Sequence, residues 1–275
     1  MPRARTLLVM LIAVLLLAAP ASAHRAKLHD RELRVITFNI HHGANGAEQL
    51  DLERIAEVIE DSGADVAVLQ EVDRHWGARS AFADQAAELG RRLDMRSVYA
   101  PNLDLDPLEA GQPRRQYGTA ILSRFPIASS HNTLLPRPSN GEQRGLLEAV
   151  IKVRGVRVRV AGTHLQHNSA LERTAQAQRI AELLAPAHEP VVLAGDLNAV
   201  PDAPELAPLL GMFADAWTRA GSGPGFTIPV EAPDRRIDYV LTSPEVDARH
   251  AEVIATDASD HLPLVVDLAI PRAAR

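Results

Sequence analysis

From Leu33 to Ile270 short apolar runs recur, and nearly every one stops at, or starts from, a residue with an oxygen or imidazole side chain. They read LRVITFNI (33–40), ADVAVLQEVD (64–73), YGTAILS (117–123), LLEAVIKV (146–153), VRVRVAGTH (156–164), VVLAGDL (191–197), IDYVL (237–241) and LPLVVDL (262–268). Runs this short and this rich in Val, Ile and Leu predict buried β-strands rather than helices. Helical spacing lies between them. Leu52, Ile55, Ala56 and Ile59 predict a helix over 51–60, and further helices are expected over 81–93 and 170–184. Arg154-Gly155 joins two of the runs as a hairpin, and the Val/Arg alternation of 156–160 marks a strand with one solvated face. A weaker strand is expected near 246–254. Pro101, Pro107 and Pro113, with Gly111 and several charges, predict a long surface loop over 101–116. This mixture of hairpins and strand–helix alternation implies two β-sheets packed together with helices outside. The stretch 33–270 holds no repeat and no linker, so it reads as one domain.

The first 23 residues differ in kind. Arg3 and Arg5 precede the apolar run Leu7–Ala19, and Ala21-Ser22-Ala23 supplies a small-residue cleavage site. This is the pattern of a secretory signal peptide over 1–23, followed by a polar linker over 24–32. It places the mature chain outside the cell or in the cell envelope. An uncleaved segment would instead serve as an anchor, although its apolar run is short for a bilayer span. The chain has no cysteine, which excludes disulfides and thiolate metal sites. Its net charge of −6 falls to about −8 when Arg3 and Arg5 leave with the signal. That acidity and an aromatic content of 4% count against a nonspecific nucleic-acid surface.

The polar residues at the ends of the apolar runs are Asn39 with His41 and His42, Gln70-Glu71, Thr163-His164, Asp196 with Asn198, Asp238, and Asp260-His261. Each has an ordinary reading by itself. Asn39 can cap a turn, Glu71 can be a solvated loop acid, His164 can sit at a sheet edge, and Asp238 has Arg235 and Arg236 nearby as partners. Together they form a set of oxygen and imidazole groups suited to a hard cation such as Mg²⁺, with Mn²⁺ as its alternative. Histidines in such a set can donate to a phosphoryl oxygen or take a proton from water. The inventory is that of metal-assisted phosphate-ester hydrolysis.

In the order TFNI (37–40), LQEVD (69–73), YGTAILS (117–123), THLQ (163–166), GDLNAVPD (195–202), RIDYVL (236–241) and SDHLP (259–263), these motifs resemble the endonuclease/exonuclease/phosphatase superfamily of metal-dependent phosphohydrolases. The flavour is that of exported bacterial members and of the branch associated with glycosylphosphatidylinositol remodelling. The resemblance implies an α/β (α+β type) four-layer sandwich of two mixed β-sheets, with the site at one edge. It implies Asn39 and Glu71 as ligands of the principal metal, completed by Asp260. Asp196 and Asn198 would position the attacking water and the scissile phosphate, and His164 would stabilise charge on the phosphoryl oxygens. His261, oriented by Asp238, would be the general base, a role that Asp196 takes in other accounts of the family. Tyr117 and Arg144 would contact the phosphate. His41 stands where some nucleases carry an acid, which leaves a second metal site of their kind in doubt.

The resulting expectation is an exported, monomeric, metal-dependent phosphoesterase. Its substrate would be a small or lipid-linked phosphodiester or phosphomonoester, held at the mouth by Arg114, Arg115 and Arg137. Membrane contact would come only through that substrate or an uncleaved signal. A secreted DNase-like endonuclease is the alternative, and a noncatalytic phospholipid- or partner-binding member is the second.

Overall fold

The computed structural model describes residues 30–272. The signal segment 1–23 and the linker as far as residue 29 lie outside the described residues. The chain opens with β1 (Arg31–Asn39), α1 (Leu52–Asp61), β2 (Val66–Arg74), α2 (Gln85–Arg92) and β3 (Arg96–Leu105). Next come β4 (Arg115–Ser123) and then the meander β5 (Ile127–Leu134), β6 (Gly145–Val153) and β7 (Val156–His164). Then come α3 (Ala170–Leu184), β8 (Val191–Asp196), α4 (Ala207–Leu210), β9 (Ala214–Asp215) and α5 (Ala216–Ala220). The chain closes with β10 (Asp238–Thr242), β11 (Asp247–Val253) and β12 (Leu264–Ile270).

Two six-stranded sheets result. The first runs β11-β12-β1-β2-β4-β3 and the second β5-β6-β7-β8-β10-β9. Each is antiparallel apart from one central parallel pair, β1 with β2 and β7 with β8. Strand alternation divides the side chains among three cores. Val35, Val68, Val160, Val192 and Val266 fill the space between the sheets. Ile36, Phe38, Leu69 and Val265 face α1 and α2 on the outside of the first sheet. Leu193, Leu241 and Tyr239 pack with Ile180 and Leu184 of α3 outside the second. The order helix, sheet, sheet, helix is the expected four-layer sandwich. The helices begin where side chains can satisfy free amides: Asp51, Asp84 and Ser169 each accept from the amide three residues on.

Several boundaries differ from the sequence expectations. β1 starts at Arg31, so the last two residues of the 24–32 linker belong to the strand. Residues 81–84, expected as helix, form a turn in which Ala81 and Phe82 have positive φ, and α2 starts only after the Asp84 cap. The loop expected over 101–116 is shorter, because β3 continues to Leu105 and β4 starts at Arg115. Pro101 is tolerated there because β3 is an edge strand whose register slips between Pro101 and Leu103. β5 was not legible because it too is an edge strand, mostly solvent-facing and polar.

Gly195 sits at φ +153, one residue before Asp196, and pairs with Thr163 of β7. A Cβ there would run into the Thr163 carbonyl. Gly195→Ala is therefore expected to cost about 3 kcal/mol in urea unfolding, and to lower activity by pushing β8 and its terminal Asp196 away from β7.

Candidate active site

The topology places the polar ends of the strands together. In the first sheet the parallel pair carries Asn39 at the end of β1 and Gln70-Glu71 late in β2. In the second, the parallel pair ends in His164 and Asp196, which lie side by side in register. The antiparallel neighbours begin at the same edge. Asp238 starts β10 opposite Asp196, Arg144 immediately precedes β6, Tyr117 lies near the start of β4, and His261 precedes β12. Glu71 leaves the ladder in a bulge between Leu69 and Val72, at φ +57. Bulges of this kind re-aim a side chain beside a site.

Asp196 is the hub. Its Oδ1 accepts the Asn198 amide at 2.8 Å, and its Oδ2 accepts Asn39 Nδ2 at 3.2 Å. The same Asn39 nitrogen donates to Glu71 Oε1 at 3.0 Å. His164 Nε2 and His261 Nε2 lie 3.3 and 3.7 Å from Asp196 Oδ2. The other ring nitrogen of His261, Nδ1, meets Asp238 Oδ2 at 2.9 Å. Asp238 is thus paired with His261; Arg236 goes instead to Asp215, and Arg235 to Asp234. Asn198, at φ +50, donates to the Leu165 carbonyl and sits 2.9 Å from His164 Nε2. That contact assigns the proton of His164 to Nδ1, which is buried without a partner.

Burial sets the charges. It pushes the Asp196 carboxyl up to about 7, with Asp238 adding to the rise and His261 opposing it. Burial also works against a charged His261, but Asp238 and then Asp196 outweigh it and raise the imidazole to about 10. His164 is driven well below the usual histidine range by burial and by the Arg144 charge. At neutral pH the site therefore holds a cationic His261 and a neutral His164.

Around this centre lie the remaining expected residues. Arg144 is buried; its Nε has no partner, its Nη1 meets Glu142 Oε1 at 2.9 Å without hydrogen-bond alignment, and its Nη2 is 3.5 Å from His167 Nδ1. Tyr117 is also buried and packs 5.8 Å from the Trp76 ring, and burial together with Glu71 keeps its hydroxyl protonated. Asp260 stands apart. It is half exposed, accepts from Ser259 Oγ and lies 4.0 Å from His41 Nδ1. Asp260 is also close enough to His261 for its charge to favour the imidazolium. Ser259 Oγ also donates to the Asn39 carbonyl at 2.7 Å, which fastens the SDHLP segment to β1.

The donor set fits a divalent cation. The Glu71 and Asp196 carboxylates approach each other across Asn39, whose Nδ2 donates to both while its Oδ1 accepts the His41 amide, and Asp196, Asp238 and His261 bring ligand-type atoms within 4.8 Å of one another. Buried oxygens of this kind suit a hard ion.

The sequence pattern of the Endonuclease/Exonuclease/phosphatase family matches residues 36–261. This chain belongs to that family. An endonuclease/exonuclease/phosphatase structure from Beutenbergia cavernae is 32% identical and superposes with a TM-score of 0.75 over 88% of this chain and 72% of that one. Protein cwh43 of Schizosaccharomyces pombe is 30% identical over 159 residues, 58% of this chain, and the match spans only 15% of that protein. A mannosyl-6-phosphatase of Bacteroides thetaiotaomicron shares the fold at 19% identity, with a TM-score of 0.68 over 86% of this chain and 99% of its own.

Within this family member, sequence reasoning found the edge but not all of its furniture. Asp73 is fully buried and held by two hydrogen bonds from Arg79, whose guanidinium also lies over the Trp76 and Tyr117 rings. The cluster RHWGAR (74–79) follows LQEVD directly, and its Trp and Arg residues were the available signal. Glu48, which approaches both His41 and His42, carried no signal because it lies in an exposed loop.

Two outcomes are expected in the metal-free protein. The Asp238–His261 pair contributes stability that is complete below the ordinary histidine pKa and is lost as pH rises through about 10. Asp238→Asn should therefore cost on the order of 3 kcal/mol at pH 6 and much less at pH 10.5, read by urea unfolding. Asp196 contributes with the opposite sign: its raised pKa costs stability progressively as pH climbs from the ordinary carboxylate range to about 7, and in full above that. Asp196→Asn should keep or raise the Tm at pH 8.

Proposed function

We propose that this chain is an exported, metal-dependent phosphoesterase acting on a small or lipid-linked phosphate ester by attack of water at phosphorus. The observation that carries the reading is Arg144. A buried guanidinium with unpartnered N–H groups, close enough to shift His164 and beside convergent carboxylates, is built for a phosphoryl group. A bound Mg²⁺ or Mn²⁺, held by Asn39 and Glu71 with Asp260, would neutralise phosphoryl oxygens and ease deprotonation of water.

The side chains then divide the work. Arg144 and the Nδ1–H of His164 hold non-bridging oxygens, with Tyr117 beside them. Asn198 fixes His164 and, through its amide, Asp196. His261 sits between two carboxylates that keep it protonated, so it donates through Nε2 rather than accepting. The base role moves accordingly from His261 to Asp196, whose carboxylate takes the proton of the attacking water. The water oxygen bonds to phosphorus, the phosphorus–oxygen bond to the alcohol breaks, and the departing alkoxide takes a proton from solvent.

Support for a small or amphiphilic substrate comes from the surroundings. Arg114, expected at the mouth, is occupied by Asp104 and Asp106. Arg115 remains useful: its Nε binds the Trp76 carbonyl and its guanidinium covers the Trp76 ring. Arg137 is exposed near Gly141. Beyond Arg115 lies a cavity of about 310 Å³ lined by His75, Phe82, Leu108, Gln112 and Pro113. A cation followed by apolar surface suits an anionic headgroup with an alkyl portion better than a nucleic-acid backbone. Among the described residues no helix is long and apolar enough to cross a membrane, so membrane contact would come through the substrate or the N-terminal segment. We take the acting form to be a monomer.

A substrate panel tests the reading: an activated phosphodiester, lipid phosphodiesters, inositol and sugar phosphates, and plasmid DNA, each with Mg²⁺, Mn²⁺ and chelator. Turnover of small or lipid esters should require metal. Asp196→Asn should lower kcat by about 10³-fold, and Arg144→Ala should lower kcat/KM by about 10²- to 10³-fold. Turnover unaffected by chelator or by Asp196→Asn would overturn the mechanism, and DNA nicking with no action on small esters would overturn the substrate class.

A further inference from the structure

Glu71 belongs to a second group of donors that the phosphate chemistry leaves unused. One ligand atom from each of His41, His42 and Glu71 lies within 4.8 Å of the other two. The two imidazole rings are 4.5 Å apart and tilted by 59°. A fourth group closes on them: the Glu48 oxygens lie 3.5 Å from His41 Nε2 and 3.4 Å from His42 Nε2.

These distances are informative. They exceed those of a charge-assisted N–H···O bond, about 2.7–2.9 Å. One Glu48 oxygen faces each imidazole, an arrangement that leaves room for a cation between the carboxylate and the two rings. His41 turns Nε2 toward Glu48, and its other ring nitrogen, Nδ1, lies 4.0 Å from Asp260 Oδ1, a carboxylate on the outer side of the ring. The backbone at all four positions adopts the left-handed region, with φ +44 at His41, +47 at His42, +59 at Glu48 and +57 at Glu71. That conformation is uncommon for side chains of this size; here it occurs at His41, His42 and Glu71, whose ligand atoms converge, and at Glu48, which faces the two imidazoles.

We propose that His41, His42, Glu71 and Glu48 form a separate site for a borderline divalent cation, Zn²⁺ being the natural occupant. Two imidazoles and two carboxylates are zinc-type donors, in contrast to the oxygen and amide set around Asn39 and Asp196. Glu71 is common to both groups, so the two cations would share one carboxylate, as in two-metal sites with ions about 3.5–4 Å apart. Glu48 is the most exposed member, its side chain 68% accessible, and gives the ion its entry from solvent. Glu71 apart, its donors are not those of the phosphate site, and the site does not depend on which phosphate ester is cleaved.

Cobalt reports the site without any assay of turnover. The metal-free protein, titrated with Co²⁺, should develop the visible absorption of a tetrahedral nitrogen–oxygen complex. One equivalent of Zn²⁺ should abolish it, and millimolar Mg²⁺ should not. The double variant His41→Gln/Glu48→Gln alters residues with solvent access, and circular dichroism checks that it folds. It should bind Co²⁺ about 100-fold more weakly or worse. Asp196→Asn should leave the spectrum in place. No tetrahedral band in the unaltered protein, a band that persists in the folded double variant, or a band lost in Asp196→Asn would each overturn the proposal.

Discussion

One imidazolium between two buried carboxylates holds the working edge of this sandwich together. His261 precedes β12, a strand of the first sheet, whereas Asp238 and Asp196 belong to β10 and β8 of the second. Asn39 of β1 likewise crosses to Asp196. Between the sheets the packing is aliphatic, but at this edge polar contacts take its place. A buried carboxylate without partners would cost several kcal/mol, so the two sheets must keep the spacing that satisfies all three groups. The geometry of the site is thus a property of how the sheets stack, and only secondarily of any one loop.

The division of labour follows the same boundary. In the reaction proposed above, the first sheet and its loops would bring the cation donors Asn39, Glu71, His41 and His42. The second would bring the groups that act at the phosphoryl centre: His164, Asp196, Asn198 and Arg144. Neither set is complete alone. The two parallel pairs, β1 with β2 and β7 with β8, explain why: each carries its chain-end polar residues to the same side of the molecule. The antiparallel strands beside them start there, which is why Asp238 and Arg144 precede apolar runs while Asn39 and His164 follow them.

That pattern made the fold and most of the edge legible in the sequence. Buried central strands announce themselves by unbroken apolar runs, so β1, β2, β4, β6, β7, β8, β10 and β12 could be read directly. Edge strands do not. β3 contains Pro101 and β5 is polar over most of its length, because an edge needs neither two apolar faces nor a full hydrogen-bond ladder. Residues at the strand ends were visible as a set, and Asp238 found the histidine rather than its neighbouring arginines. The protonation of His261 was not readable, since it arises from Asp196 and Asp238 approaching from different parts of the chain. The approach of Asp260 to His41, from the far end of the chain, was likewise not readable from its place beside His261.

The chain has no cysteine and hence no covalent tie between its sheets. At the working edge, however, anything held jointly by Asn39 or Glu71 on one side and Asp196 or Arg144 on the other acts as a removable rivet. Such a ligand binds only the assembled sandwich, so its free energy of binding adds to that of folding in proportion to its occupancy. Under the proposed function, the protein's resistance to unfolding would be set partly from outside, by the ions and phosphates available to it.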